Sequence, residues 1–366
     1  MSAVAQIAAA VPAAPDPRRL FLDQIVDLGE VMHQGLPAVQ FLETPSLGNK
    51  LFYGERMIHL VTGHRKHGKS NVATLAAIDH INSGSPLLYL DFENAKELMA
   101  ERFLKMGADP EVVTEHLQYI PIPKGITLDS FGPALWGYAD EFPGSLVIVD
   151  SFRGLLSKLG SDIPNFNQND SGHVERIFEP LHTFVKEVGP SAIVLDHPNR
   201  TTTRNSEYMA GNSGAKEQIA DVVHWVERLD KYSEDTRGSL LIEIKQDRRG
   251  KLDDNPHYFR LGGQGPDNPL TLAPARWFQV GPAGKMARAM MAYLAEKAVG
   301  EAAAVTKSAI EEAVTGNAQA KRSLLDALLK AGYVKAVTVK GHDKFYVESD
   351  ADVMLEPPDG DNLPGI

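Results

Sequence analysis

The chain has 366 residues, 43% of them hydrophobic and 23% charged, with a formal net charge of −11 and no cysteine. That length allows two domains with separate cores. Without cysteine there can be no disulfide, thiolate nucleophile or Cys-ligated zinc, which is compatible with a reducing cytoplasm. The acidic balance argues against a protein that coats nucleic acid by bulk charge, though not against local basic loops.

In chain order, residues 1–17 are Ala/Pro-rich and expected to be disordered. The apolar run at 4–14 is short and has no Lys or Arg before it, so it is not read as a signal peptide. No run is long enough for a membrane span. The pattern RRLFLDQIVDLGEVM, within 18–37, predicts an amphipathic helix that packs on its own domain or docks on a neighbouring subunit. Residues 38–62 read as two or three short strands, with turns at Pro45–Gly48 and Gly54.

Then comes MIHLVTGHRKHGKSNVATLAAIDHINSG. An apolar strand, Ile58 to Val61, leads into GHRKHGKS, which fits GxxxxGK[ST] at every fixed position. Val72, Leu75, Ala76, Ile78 and Ile81 follow at helical spacing. A motif between a buried strand and a helix N-terminus is where phosphate binding needs it. Gly63 and Gly68 let the backbone N–H groups of His64, Arg65, Lys66 and His67 turn inward, and the helix opening at Lys69, Ser70 and Asn71 adds its positive dipole end. Lys69 would reach the β- and γ-phosphates of ATP, and the Ser70 hydroxyl would ligate Mg²⁺.

Further strands are predicted at Ser85–Asn94, Leu117–Ile122, Gly144–Ser151 and Ser191–His197, followed by DVVHWVERL and SLLIEIKQ. Helices are predicted at Ala95–Met106, around Phe131–Glu141, at His173–Val188 and at Ser213–Ala220. Strands that alternate with helices and are apolar throughout imply an α/β fold with a mostly parallel sheet covered on both faces. Past 280, helices at Met286–Val299, Lys307–Val314 and Ala318–Ala331 precede a hairpin around Gly341–His342. Three helices and a hairpin read as a winged-helix domain over 286–349, after an ATPase domain over 38–280. The tail, 350–366, is acidic, Pro-rich and expected to be loose.

Asp150 ends the apolar strand of GSLVIVDS and suits a Mg²⁺-holding acid at the mouth of the sheet. The next residue is Ser151, so a water-orienting carboxylate must come from elsewhere. Asp91 and Glu93 end the strand of LLYLDFEN, and Glu93, just past the strand, is the better candidate. It could also be a solvated strand end.

The set GHRKHGKS, YLDFEN with Arg102, LVIVDS and LDHPNR resembles the RecA-type ATPases, and within them is most similar to the plasmid RepA-like hexameric helicases and their phage relatives. Motif order places this likeness over 38–262. It implies a RecA-like fold, ATP and Mg²⁺ as ligands, Glu93 as base, Asp150 as metal acid, and His197 with Asn199 as the γ-phosphate sensor, unless His197 merely caps its strand. It also implies that a late strand supplies cations to a neighbouring subunit. In IKQDRRGK these would be Lys245 with Arg248 or Arg249, unless the segment is only a charged hairpin tip. The usual spacing is Lys-x-Arg, and Asp247 stands in the arginine slot, so the choice of finger stays open.

In such rings the loops after the third and fourth strands face a central channel. Here they would be Ser157–Gly172 and Pro198–Gly214, and the second carries Arg200 and Arg204 with Tyr208, suited to tracking single-stranded DNA or simply an ordinary mobile loop. Residues 306–348 hold seven Lys/Arg against five acids, including Lys321, Arg322, Lys335, Lys340 and Lys344, which would meet duplex DNA or dock a protein. The leading expectation is a homo-oligomeric DNA helicase of phage or plasmid replication, assembled as a hexameric ring. The alternatives are a filament-forming recombinase or loader, and a nucleotide-switched winged-helix regulator.

Overall fold

The computed structural model describes residues 38–48, 50–121, 123–198, 201–206, 215–232, 237–262 and 270–348. The expected disordered N-terminus, the helix at 18–37, Asn199, Arg200, Tyr208 and the tail 350–366 lie outside the described residues. Two units divide the chain, Met1–Val39 and Gln40–Ile366, and the sheet and helices belong to the second.

Four strands are buried at every position: β1 (Ile58–Thr62), β2 (Leu87–Asp91), β4 (Leu146–Asp150) and β5 (Ala192–Asp196). Their side chains are covered from both faces, which is why they read as continuous apolar runs rather than as alternation. With β3 (Leu117–Pro121), β6 (Val222–Asp230), β7 (Gly238–Asp247), β8 (His257–Gly262) and β9 (Thr271–Ala275) they form a nine-stranded sheet in the order β3-β2-β4-β5-β1-β6-β7-β8-β9. The pairs from β3 through to β6 are parallel, and β7, β8 and β9 add antiparallel. This is the expected α/β architecture, a large mostly parallel sheet with helices on both faces.

Helices α1 (Lys69–Asn82) and α2 (Lys96–Lys105) cover one face, packing Val72, Ile78, Met99 and Phe103 against Val61 and Ile148. After a short α3 (Pro110–His116), helices α4 (Leu128–Glu141), α5 (Phe152–Leu159) and α6 (Ser171–Val188) cover the other, burying Phe131, Leu155 and Phe178 against Leu60 and Val149. Because β1, β2, β4 and β5 are parallel, their C-terminal ends open on one edge. Two strands separate β1 from β2, so chain reversals there leave a crevice outside the carboxyl ends.

Several expectations need correction. Among the described residues of 38–62, β1 is the one strand, and before it stand isolated bridges, Phe41 with Tyr53 and Glu55 with Pro190, rather than further strands. Helix α3 was not expected, although Asp109 caps it by accepting from the Glu111 N–H (2.8 Å) with Pro110 in the first turn. Strands β8 and β9 extend the sheet past the predicted set. Residues 157–172 are not one open loop: α5 runs to Leu159, and Leu159 and Ile163 are buried.

The C-terminal residues build a separate core. Helices α8 (Gly281–Lys297), α9 (Lys307–Ala313) and α10 (Ala318–Lys330) pack Met290, Leu294, Ile310, Leu324 and Leu328 together. They lie with a small sheet, β10-β12-β11, made by β10 (Val305–Thr306), β11 (Lys335–Val339) and β12 (His342–Tyr346). Asp230 at the end of β6 accepts from the Gly281 N–H at 2.8 Å and from Ser239 at 2.5 Å, so one carboxylate joins the large sheet to the start of α8.

Two histidines sit inside the large sheet. His59 accepts the Tyr53 N–H at Nε2 (3.0 Å), which leaves its Nδ1 proton for His224 Nε2 at 3.1 Å. Burial holds His59 down to about 3 and His224 well below its ordinary range. In the unfolded chain both titrate near ~6.5. As pH falls the unfolded state therefore binds protons first; this stability is whole above about pH 6.5 and is lost as pH falls toward 3. The urea midpoint should drop from pH 7.5 to 5.0, and a His224→Leu variant should show a shallower drop. An unchanged slope in that variant would assign the acid sensitivity to other groups.

Candidate functional site

The loop after β1 is shaped by backbone, as its sequence requires. A Cβ on Gly63 would lie 2.2 Å from the Val226 carbonyl oxygen, so only glycine passes β6 there. Lys66 and Gly68 take φ of 63° and 94°, curling the loop back toward α1. No side chain caps α1, whose first N–H groups and dipole end face the loop. Arg65 and Lys66 are exposed. His64 shares a hydrogen bond of 2.8 Å with the Thr202 carbonyl, and burial beside His64 and Arg228 pushes His67 down to about 4. Asn71, on the first turn of α1, donates to the Tyr232 hydroxyl at 3.0 Å.

Lys69 lies across the loop. Its Nζ donates to the carbonyls of Gly63 (2.6 Å) and His64 (3.1 Å) and stands 3.1 Å from His197 Nδ1. Burial lowers it to about 8, opposed by the negative charge of Asp150, Asp196 and Glu93. If His197 accepts at Nδ1, its proton sits on Nε2, which faces Glu93 Oε1 at 3.6 Å, an ion-pair rather than a hydrogen-bond distance. One tautomer thus links Lys69 to Glu93.

The acids stand at the ends of β2 and β4. Asp150 is buried and accepts from the Tyr89 hydroxyl at 3.2 Å. Burial, then Asp91 and Glu93, push its carboxyl up to about 6. The peptide to Ser151 is cis. Glu93 accepts from Ser151 at 2.5 Å. The His197 neighbour first, then Ser151, hold Glu93 down at about 2 against partial burial, so it is ionised.

The choice between Asp91 and Glu93 now has a structural reason. Asp91 is fully buried and its Oδ1 accepts the N–H groups of Glu93 and Asn94, both at 2.8 Å, while Oδ2 accepts from Tyr119 at 3.0 Å. Its carboxylate is spent on the turn that carries Glu93 out over the strand end.

The late-strand cations lie elsewhere. Strand β7 runs antiparallel to β6, so Asp247 is level with Val222, beside the start of β1. Lys245 is the extra residue of a bulge and pairs with Glu243 at 2.7 Å. Arg248 donates to the Gln218 carbonyl, and Arg249 stands 5.7 Å over the Tyr53 ring. None of them reaches the phosphate loop of its own chain. Asp247, which displaces the expected arginine, accepts from Tyr53 (2.9 Å) and from the Lys251 and Leu252 N–H groups, and so builds the turn after β7. Arg204, expected to be a loop cation, also pairs with Glu243, at 2.8 Å.

Sequence reasoning missed Tyr89, Glu243 and a buried pair, Lys216 to Asp196 at 2.8 Å, each 1% exposed at the side chain. Lys216 crosses the Phe152 ring and holds the start of α7 (Ala215–Ile219) to the residue before His197. Only a lysine among small residues, AGNSGAK, hinted at it.

The geometry fits a metal–triphosphate. The described residues contain no cluster of three His, Asp or Glu able to hold a metal alone. A hydroxyl, one carboxylate, phosphate oxygens and water suit Mg²⁺, which keeps much of its hydration shell. Ser70 at the start of α1 and Asp150 at the end of β4, beside the negative charge of Asp91 and Glu93, would supply that pair.

No family model and no curated protein sequence matches the chain. Among solved structures it is similar to a KaiC-like protein from the hyperthermophilic archaeon Pyrococcus horikoshii OT3, at 15% identity and a TM-score of 0.48, over 65% of this chain and 100% of that one. No described helix is long and apolar enough to cross a membrane.

Proposed function

We propose that the chain is an ATP-hydrolysing, Mg²⁺-dependent DNA motor, a RepA-like hexameric helicase that acts on single-stranded DNA in phage- or plasmid-type replication. The observation that carries the hydrolytic reading is the continuous set Lys69, His197, Glu93, Ser151, Asp150 and Ser70 around one curled loop. The loop N–H groups bind phosphate oxygens. Lys69 leaves the Gly63 and His64 carbonyls for the β- and γ-phosphates. Ser70 and Asp150 hold Mg²⁺, which when bound withdraws charge from the phosphate oxygens. Glu93, ionised and held by Ser151, accepts a hydrogen bond from the attacking water and orients it. His197 senses the γ-phosphate through Nδ1, the atom 3.1 Å from Lys69 Nζ.

Lys245 and Arg248 or Arg249 act on a neighbouring subunit, a role supported by their having partners outside their own phosphate loop. A cation delivered across a seam stabilises transferring charge only when the oligomer is closed. If so, adding subunits with Arg248 and Arg249 replaced by alanine should depress ATPase activity of the native protein more than in proportion. Strictly proportional loss would argue against a finger in trans.

The C-terminal helices and hairpin are read as a winged helix. The Glu311 carboxylate pairs with Arg322 and Glu348 pairs with Lys335, while Lys321 donates to the Glu311 backbone carbonyl; two of the basic residues are thus met by acids, which supports a protein partner over duplex DNA at that face. Strand displacement on a forked DNA substrate tests the motor itself: ATP turnover without displacement would leave the loader or the regulator.

A further inference from the structure

We propose that Tyr89 is a positioning residue that fixes Asp150 for the divalent cation. The inference rests on the reading of Asp150 given above and adds a residue to it.

Tyr89 lies in the middle of β2 with no exposed surface. Its ring meets Phe103 and Tyr119 at centroid separations of 6.5 and 5.9 Å, packing that phenylalanine would supply equally well. The hydroxyl is the added feature. A buried hydroxyl costs stability unless it is bonded, and this one donates to Asp150 Oδ2 at 3.2 Å. Asp150 is two residues beyond Ile148, which lies opposite Tyr89 in the sheet. The bond therefore runs diagonally, from mid-strand to the carboxylate that ends the next strand.

The same diagonal occurs one strand further out. Tyr119 on β3 lies opposite Tyr89, and its hydroxyl donates at 3.0 Å to Asp91, which ends β2. Two tyrosines side by side thus serve two adjacent strand-end carboxylates, with different consequences. Tyr119 holds an acid that shapes a turn. Tyr89 holds the acid that ends β4, and its bond falls on Oδ2, so that Oδ1 is the oxygen it leaves for a cation. A carboxylate hydrogen-bonded from behind is oriented toward a metal, and loss of such a partner typically weakens metal affinity by roughly 10- to 100-fold.

The test is binding of a fluorescent ATP analogue titrated with Mg²⁺, in native protein and in Tyr89→Phe, Tyr119→Phe and Asp150→Asn variants. Tyr89→Phe is expected to raise the Mg²⁺ half-saturation about tenfold, leaving Mg²⁺-free binding and Mg²⁺-free melting temperature unchanged. Tyr119→Phe should leave the Mg²⁺ midpoint in place. The proposal is overturned if Tyr89→Phe keeps the native midpoint, if its Mg²⁺-free binding falls equally, or if it fails to fold. Asp150→Asn separates the two levels. If it retains the Mg²⁺ enhancement, the metal reading of Asp150 fails and Tyr89 falls with it. If it loses the enhancement while Tyr89→Phe does not, only the positioning role fails.

Discussion

Lys69→Ala is expected to lower ATP turnover by about a thousandfold, with the fold intact. The physical reason is the charge count at the loop. Lys69 is the cation whose charge Asp150, Asp196 and Glu93 all stabilise, and its Nζ bonds are to two loop carbonyls and His197. Carbonyl partners within one loop are easily re-solvated, so the variant should melt within a few degrees of the native protein. Removing the ammonium leaves the loop N–H groups to face the γ-phosphate alone, just where negative charge must be stabilised during transfer. Steady-state phosphate release beside a thermal melt checks both halves. Turnover within tenfold of native in a folded variant would refute the phosphate-loop assignment.

Glu93→Gln should separate binding from hydrolysis. The amide keeps the size of the carboxyl and can still accept from Ser151, so nucleotide affinity should stay within a few-fold of native. It cannot accept two strong hydrogen bonds as a charged oxygen pair does, and kcat should fall by about 100- to 1000-fold. The pH profile adds a second check. His197 and Ser151 hold Glu93 down at about 2, so it stays ionised across an ordinary assay range and kcat should show no acid limb from this group between pH 5 and 8. A Glu93→Gln protein that turns over at the native rate would remove Glu93 from the chemistry. If such a protein also kept full biological function, nucleotide would be a switch rather than a fuel.

The two variants probe different distances along the chain, and the same distances separate what could be read from what could not. The phosphate loop is contiguous. Its two glycines, lysine and serine occupy eight consecutive residues, and strand and helix follow from the runs on either side. Asp150 and Glu93 were legible because one ends, and the other follows closely, a run of buried apolar residues, and a parallel strand buried on both faces has a recognisable composition. Asp91 shows the limit. By sequence it is as good an acid as Glu93, and only the turn that consumes its two oxygens removes it. Arg204 and Lys245 show the same limit for cations: both read as available, and both meet Glu243, which no local pattern distinguishes.

By itself, then, the sequence determined the phosphate loop, the identity of the strands that flank it and the acids that end them, because each is encoded within one run of neighbours. The tertiary structure alone decided that Asp91 is consumed by a turn, that Tyr89, Lys216 and Glu243 meet Asp150, Asp196 and two cations, and that Lys245, Arg248 and Arg249 lie against Glu243, the Gln218 carbonyl and Tyr53. Those outcomes depend on strand order and on antiparallel addition of β7. Both bring together residues tens to nearly two hundred positions apart, as in the bond from Tyr53 to Asp247. Pairings at that separation are set by the packing of whole layers, which no local window of residues contains.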